Sequence, residues 1–286
     1  MRNIVKKTTL VSSLVLALSA NSMYAQSFEW ISSTEGNTWQ KSKAKLQTNA
    51  AQTPILDVSG SEEGTVFKAW GTCFNELGWD ALNMLPRKEQ ETILHKLFSP
   101  EGELRFTMGR FSMNANDYAR DWYSCDEVPG DFQLKYFNIN RDKTTLIPFI
   151  KAAQQYNPNM TFWMSPWSPP SWMKINHYYS VRSDRNQNQM SPLSDVALFE
   201  GSKEKNTKVF PQQLAVNDYF IQDPRYLQTY ANYFCKFIDA YKQQGIAISM
   251  VMFQNESWSY TNYPGCAWTA EGIIRFNTEY LAPTLK

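Results

Sequence analysis

Residues 246–256, IAISMVMFQNE, decide how this chain folds. The run from Ile246 to Phe253 is almost wholly apolar, too short for a typical helix, and bounded by Gly245 on one side and Gln254-Asn255-Glu256 on the other. That is the pattern of an apolar strand running into a polar end. A helical pattern over 224–244 leads into it, opened by Pro224 and closed by Gly245. Another over 269–281 follows, with Pro283 just beyond. An apolar strand set between two helices, with polar residues at its C-terminal end, is an α/β unit.

Working outward, the unit recurs. Residues 66–71 form a compact apolar run closed by Gly71. Pro86 then opens a stretch in which Ile93, Leu94, Leu97 and Phe98 keep helical spacing. Residues 104–110 predict a second strand and 145–156 a second helix; 160–165 predict a third strand. Four strand-then-helix units in succession imply parallel strands. The polar, Trp- and Asn-rich segments follow the strands rather than the helices, as the active face of a (β/α)8 barrel requires. A doubly wound sheet is the rival, but no Gly-rich phosphate loop follows any of these strands.

A (β/α)8 barrel needs eight such units in roughly 250 residues, and four are visible before Lys286. The expected fold is therefore α/β: a (β/α)8 TIM barrel truncated after about the fourth βα unit, occupying 66–286. Its strand edge would lie uncovered, so the chain alone is expected to be poorly soluble and inactive. Residues 26–65 are polar and irregular except for Ile55, Leu56 and Val58, which could form one strand of an accessory sheet. Residues 1–25 have the layout of a signal peptide: Arg2, Lys6 and Lys7, an apolar run from Leu10 to Ala20, and Ala25 as a cleavage edge. The run is too short to span a bilayer, so a secreted or periplasmic protein without a stable membrane anchor is expected.

Composition narrows the chemistry. The 28 Lys and Arg nearly balance the 27 Asp and Glu, so no broad basic surface and no nucleic-acid partner is expected. Cys73, Cys125, Cys235 and Cys266 are far apart, and His95 and His177 are the two histidines. That pattern implies no metal site, no cofactor and no Ser-His-Asp triad. Carboxylates must then carry any catalysis. Ten Trp, 15 Tyr and 17 Phe supply rings that either fill a core or lie against the apolar faces of sugars.

Four strand ends carry the candidate residues. Glu256 ends the fourth strand; partly desolvated there, it would keep its proton and act as an acid. The other role open to it is capping the next helix. Asn255 beside it can hydrogen-bond a substrate hydroxyl. Arg110, at the end of the second strand, could orient a carboxylate by a charge-assisted bond. After the third strand comes SPWSPPSWMK (165–174), whose prolines stiffen the loop that holds Trp167 and Trp172. Trp167 suits a sugar platform, whereas Trp172 suits packing under the loop. Glu76, after the first strand, could accept bonds from sugar hydroxyls or stand as a helix N-terminal carboxylate. The polar stretch 177–218 is either a lid or a surface insertion.

Several stretches together carry a family resemblance: GTCFNELGWDALNML, LFSPEGELRFTMGRFSMNANDYA, PGDFQLKYFNI, MSPWSPPSWMKIN, YANYFCKFIDAYKQQGI, QNES and YPGCAWTAEG. In this order they resemble the family 30 glycoside hydrolases, the group of glucosylceramidases and β-1,6-glucanases. The resemblance implies a barrel with a side β-sandwich, to which 26–65 would contribute, and an exported retaining β-glycoside hydrolase. Its partner would be a β-linked oligo- or polysaccharide, or a glycoside or glycolipid. It implies Glu256 as acid/base, Asn255 as a contact to the sugar, Arg110 as a support for the nucleophile, and Trp167 and Glu76 as pocket residues. The nucleophile of the family is a second Glu on a seventh strand, which has no counterpart here. The Pro that often follows the catalytic Glu is Ser257 in this chain. A non-catalytic carbohydrate-binding relative or an inactive gene remnant is the alternative.

Overall fold

The computed structural model describes residues 27–45, 64–196 and 216–286. The signal-peptide layout over 1–25, the apolar stretch 55–58 and part of the 177–218 loop lie outside these residues. The chain divides into two compact units at Val66 and Phe67. In the first, β1 (Ser27–Thr34) and β2 (Asn37–Lys45) pair antiparallel as a hairpin. Gly36 turns it at φ +79°, a left-handed conformation that glycine adopts freely.

The second unit is built on a four-stranded parallel sheet, in the order β3 (Gly71–Phe74), β4 (Met108–Met113), β5 (Thr161–Pro166) and β6 (Ile248–Val251). Strand alternation sorts the side chains onto two faces. Phe74, Phe111 and Phe162 are buried on the face that meets the helices, where Phe98, Phe149, Phe237 and Tyr241 pack against them. Burying each such ring contributes roughly 2–3 kcal/mol. Gly109 makes the fit possible. A Cβ there would stand 2.5 Å from the Phe74 ring and 2.8 Å from the Phe162 ring. The opposite face carries Cys73, Arg110, Trp163 and Met250 side by side in register.

The helices start where the sequence supplies caps. Asn75 caps α1 (Glu76–Asn83), its Oδ1 accepting from the Gly78 amide at 2.7 Å. Pro86 precedes α2 (Arg87–Phe98). Helix α3 (Leu146–Tyr156) buries Leu146, Ile147, Phe149, Ile150 and Ala153, one continuous face. Asp223 caps α4 (Pro224–Gln243), and Gly245, at φ +73°, turns the chain into β6. Thr269 caps α5 (Ala270–Arg275), which continues through a π-helical turn (Phe276–Leu281) into α6 (Ala282–Leu285).

Two strand expectations need correction. The first strand is 71–74 and not 66–71: Val66, Phe67 and Trp70 are 78%, 65% and 69% exposed. Those apolar residues are not a buried strand, because the ladder with β4 begins only at Gly71, opposite Met108. The second strand is 108–113 rather than 104–110. Leu104 is exposed, while Phe111 and Met113 are core.

Candidate active site

Beyond the C-terminal ends of β3 to β6 the chain folds around a cavity of about 410 Å³. Among its lining residues are Asn75, Arg110, Asp117, Trp167, Asn255 and Glu256. Main-chain bonds fix the segment after β6 against β5: Met252 N donates to Met164 O at 2.9 Å, and Asn255 N to Pro166 O at 2.8 Å. Gln254 is buried between them. Its Nε2 donates to the carbonyls of Trp167 (2.6 Å) and Asn255 (2.8 Å), so it clamps the platform loop to the strand end.

Arg110 organises the wall. Its Nη2 donates to Ser165 Oγ at 2.7 Å and to Asn255 Oδ1 at 2.8 Å, joining three strand ends through one planar group. The guanidinium carbon lies 4.8 Å from the Trp163 ring centroid and 4.5 Å from that of Trp167. Cation–π attraction to both rings holds the fork flat. Among the described residues Arg110 makes no ion pair.

Glu256 sits at φ +47°, a left-handed conformation that costs a side-chain-bearing residue of order 1–2 kcal/mol. That turn aims its carboxylate at the cavity, where Tyr263 Oη donates to Oε2 at 2.7 Å. Burial, then the bond and the negative charge of Glu256, pushes the Tyr263 hydroxyl well up. It therefore remains a donor. The desolvation expected of Glu256 is not found among the described residues, because the side chain is exposed. Asp117 stands on the same cavity. Partial burial raises its carboxyl above the ordinary range and the charge of Glu256 adds to this, while its own amide and the Trp167 side chain pull the other way.

Glu76 stands apart from this wall. It is the first residue of α1 and fully buried, with Oε1 and Oε2 accepting from Arg141 at 2.9 and 2.8 Å and Oε2 also from the Arg120 amide at 2.9 Å. Burial works to raise its pKa, but the Arg141 bonds, the Arg120 amide and the Arg141 charge together hold it below the usual value. It is not among the lining residues of the Glu256 cavity. The pocket role expected of it is thus corrected to that of a helix N-terminal anchor. Trp172 is buried under the loop, its Nε1 donating to Asp126 O at 3.0 Å, whereas Trp167 is half-buried on the cavity.

The loops are tied by a residue that composition gave no reason to select. Lys174 is fully buried, and its Nζ donates to the carbonyls of Gly265 (2.6 Å), Tyr179 (2.7 Å) and Ser180 (3.1 Å). Burial pushes its pKa down to about 8. The platform loop, the start of the 177–218 stretch and the loop bearing Tyr263 thus share one ammonium group. Asp117 and Tyr263 were likewise not singled out. Asp117 sits in NANDYA (114–119), a polar run within the family-like stretch that could have marked it.

Parallel strands, a polar C-terminal face and a strand-end Asn-Glu pair now meet a family match. Residues 67–188 match the glycosyl hydrolase family 30 TIM-barrel domain. The matched residues hold three of the four parallel strands, β3 to β5. "Putative glucosylceramidase 3" of Caenorhabditis elegans is 28% identical over 257 residues, covering 86% of this chain and 41% of that protein. The endo-1,6-β-D-glucanase neg1 of Aspergillus fumigatus is 26% identical, covering 74% of this chain and 39% of that protein. Among solved structures, SrfJ from Salmonella typhimurium superposes with a TM-score of 0.65 at 19% identity. That match covers 91% of this chain and 51% of SrfJ, and shows the fold. The chain spans less than half the length of the curated relatives it matches.

Proposed function

We propose that this chain carries the acid/base side of an exported retaining β-glycoside hydrolase, with Glu256 as the proton donor. One observation carries the proposal: Glu256 faces a cavity at the C-terminal strand face, next to Asn255, which Arg110 holds by a direct hydrogen bond. In this reading Glu256 protonates the departing glycosidic oxygen and later removes a proton from the attacking water. Asn255, fixed through its Oδ1, presents its amide nitrogen to a sugar hydroxyl, and Trp167 lies under the ring. Retention requires a second carboxyl about 5–5.5 Å away as nucleophile, which the resemblance assigns to a seventh strand, beyond the four described.

The substrate in this proposal is a β-linked glucan, glycoside or glycolipid. The matched relatives named as glucosylceramidase and endo-1,6-β-glucanase support it, as does the aromatic lining of the cavity. Export rests on the signal-like residues 1–25. Among the described residues, no helix is long and apolar enough to cross a membrane. Proton NMR during hydrolysis of an aryl β-glucoside by the full-length protein tests the mechanism. The β-anomer forming first supports it; the α-anomer forming first contradicts it.

A further inference from the structure

A second cavity opens on loops that also follow the strands. It measures about 400 Å³ and is lined by Asp121 and Trp122 from the loop after β4, and by Tyr178, Tyr179 and Gln187 to Gln189 from the loop after β5. It shares no lining residue with the cavity of Glu256. Its volume falls in the range of small-ligand sites.

Its chemistry is specific. The rings of Trp122 and Tyr178 stand 6.0 Å apart at 77°, forming an aromatic corner, and both are half-buried with surface left open. The corner is held from behind. The Tyr178 hydroxyl accepts from the Gln189 amide at 3.3 Å, and the carbonyl of Tyr179 accepts from both Lys174 Nζ (2.7 Å) and the Gly265 amide (3.0 Å). Rigid rings lose little entropy on binding. The exposed side-chain amides of Gln187 and Gln189 make no hydrogen bond among the described residues, which leaves donors and acceptors at the rim. Flat apolar surfaces flanked by free amides fit a neutral polyhydroxylated ring better than an anion. Asp121, the acidic member, pairs with Arg141, which Glu76 also engages.

We propose that this corner is an auxiliary subsite binding a glucopyranose unit of an extended β-linked glucan, remote from the bond being cleaved. It deepens the glycosidase proposal and rests on it for the choice of sugar. The test is calorimetric titration of the chain with a β-1,6-linked glucotetraose. Trp122→Ala should weaken binding at least tenfold and Trp122→Phe by less than threefold. Replacing the exposed Gln187 and Gln189 together by Ala should weaken it several-fold without disturbing the fold. Wild-type affinity in both Trp122→Ala and the double glutamine variant would overturn the subsite. Trp167→Ala separates the two ideas. Loss there with none at Trp122 overturns the subsite and leaves the catalytic proposal standing. Loss at Trp122 with none at Trp167 supports the subsite and contradicts the catalytic one. A wild-type chain that does not bind the tetraose overturns the subsite directly.

Discussion

Arg110 of β4 and Asn255, which follows β6 and lies 145 positions away in the chain, are joined by an Nη2–Oδ1 hydrogen bond of 2.8 Å. Because Ser165 of β5 accepts from the same nitrogen, one guanidinium sets the spacing of three strand ends. A lysine ammonium has no planar fork to bridge both acceptors while lying between two indole rings. Arg110→Lys should therefore lower affinity for a β-glucoside by about 10- to 100-fold, the scale of a lost charge-assisted bond. Titration calorimetry beside an unchanged circular dichroism spectrum checks this. Wild-type affinity would mean that Asn255 does not depend on Arg110.

Glu76 is expected to matter for stability rather than for sugar binding. Glu76→Ala leaves the Arg120 amide without its acceptor and Arg141 with only Asp121, and should cost about 2 kcal/mol at neutral pH. The native pKa lies below the ordinary 4.5. Its stabilisation is thus present above the unfolded-state value and is lost as pH falls through the native one. Urea unfolding of wild type and variant should show the gap narrowing in acid. A variant as stable as wild type at pH 7 would contradict the anchor role.

Lys174→Met tests the staple between the loops. The substitution keeps an unbranched apolar stem and leaves the Gly265 carbonyl without a donor, while Ser180 O keeps Asn176 Nδ2 and Tyr179 O keeps the Gly265 amide. A loss of roughly 1–3 kcal/mol is expected from the unsatisfied buried acceptor, measured as a lowered urea midpoint. An unchanged midpoint would show that water replaces the ammonium.

Asp142 gives a pH signature of opposite sign. It is fully buried and accepts from Tyr123 Oη and Tyr241 Oη, each at 2.7 Å. Burial lifts its pKa to about 6, against the lowering effect of the two hydroxyls. Between its unfolded value of 3.8 and about 6 the folded state holds a proton that the unfolded state lacks. Acidification from pH 7 to 5 should stabilise wild type relative to Asp142→Asn by about 1 kcal/mol. Paired urea titrations at the two pH values measure the difference, and a gap independent of pH would place the titration elsewhere.

The fourth strand, Ile248–Val251, was legible as the middle of the apolar run 246–253 between Gly245 and Gln254, although its expected ends overran it. The third strand was legible for the same reason. The first was misplaced because Val66, Phe67 and Trp70 are apolar yet exposed, and hydrophobicity alone cannot tell a ladder residue from its approach. The extent of the helix Glu76–Asn83 was not legible, since eight residues carry little periodicity; only its start showed, in Glu76 as a helix N-terminal carboxylate. Glu76 illustrates the limit at the site: its partner Arg141 lies 65 positions away, so its saturation is a tertiary fact. Lys174 and Tyr263 are the same case. Their partners are carbonyls and a carboxylate that only the folded loops bring near.

Replacement of Glu256 by Gln in the full-length protein tests the central claim most directly. Turnover of aryl β-glucosides would be compared across leaving groups, from activated dinitrophenol to poor alkyl alcohols. An amide cannot donate the proton that poor leaving groups need, so their rates should fall by about 10²–10⁴-fold. The glycosylation step with dinitrophenyl glucoside should fall far less. Equal losses across the series would contradict Glu256 as the proton donor.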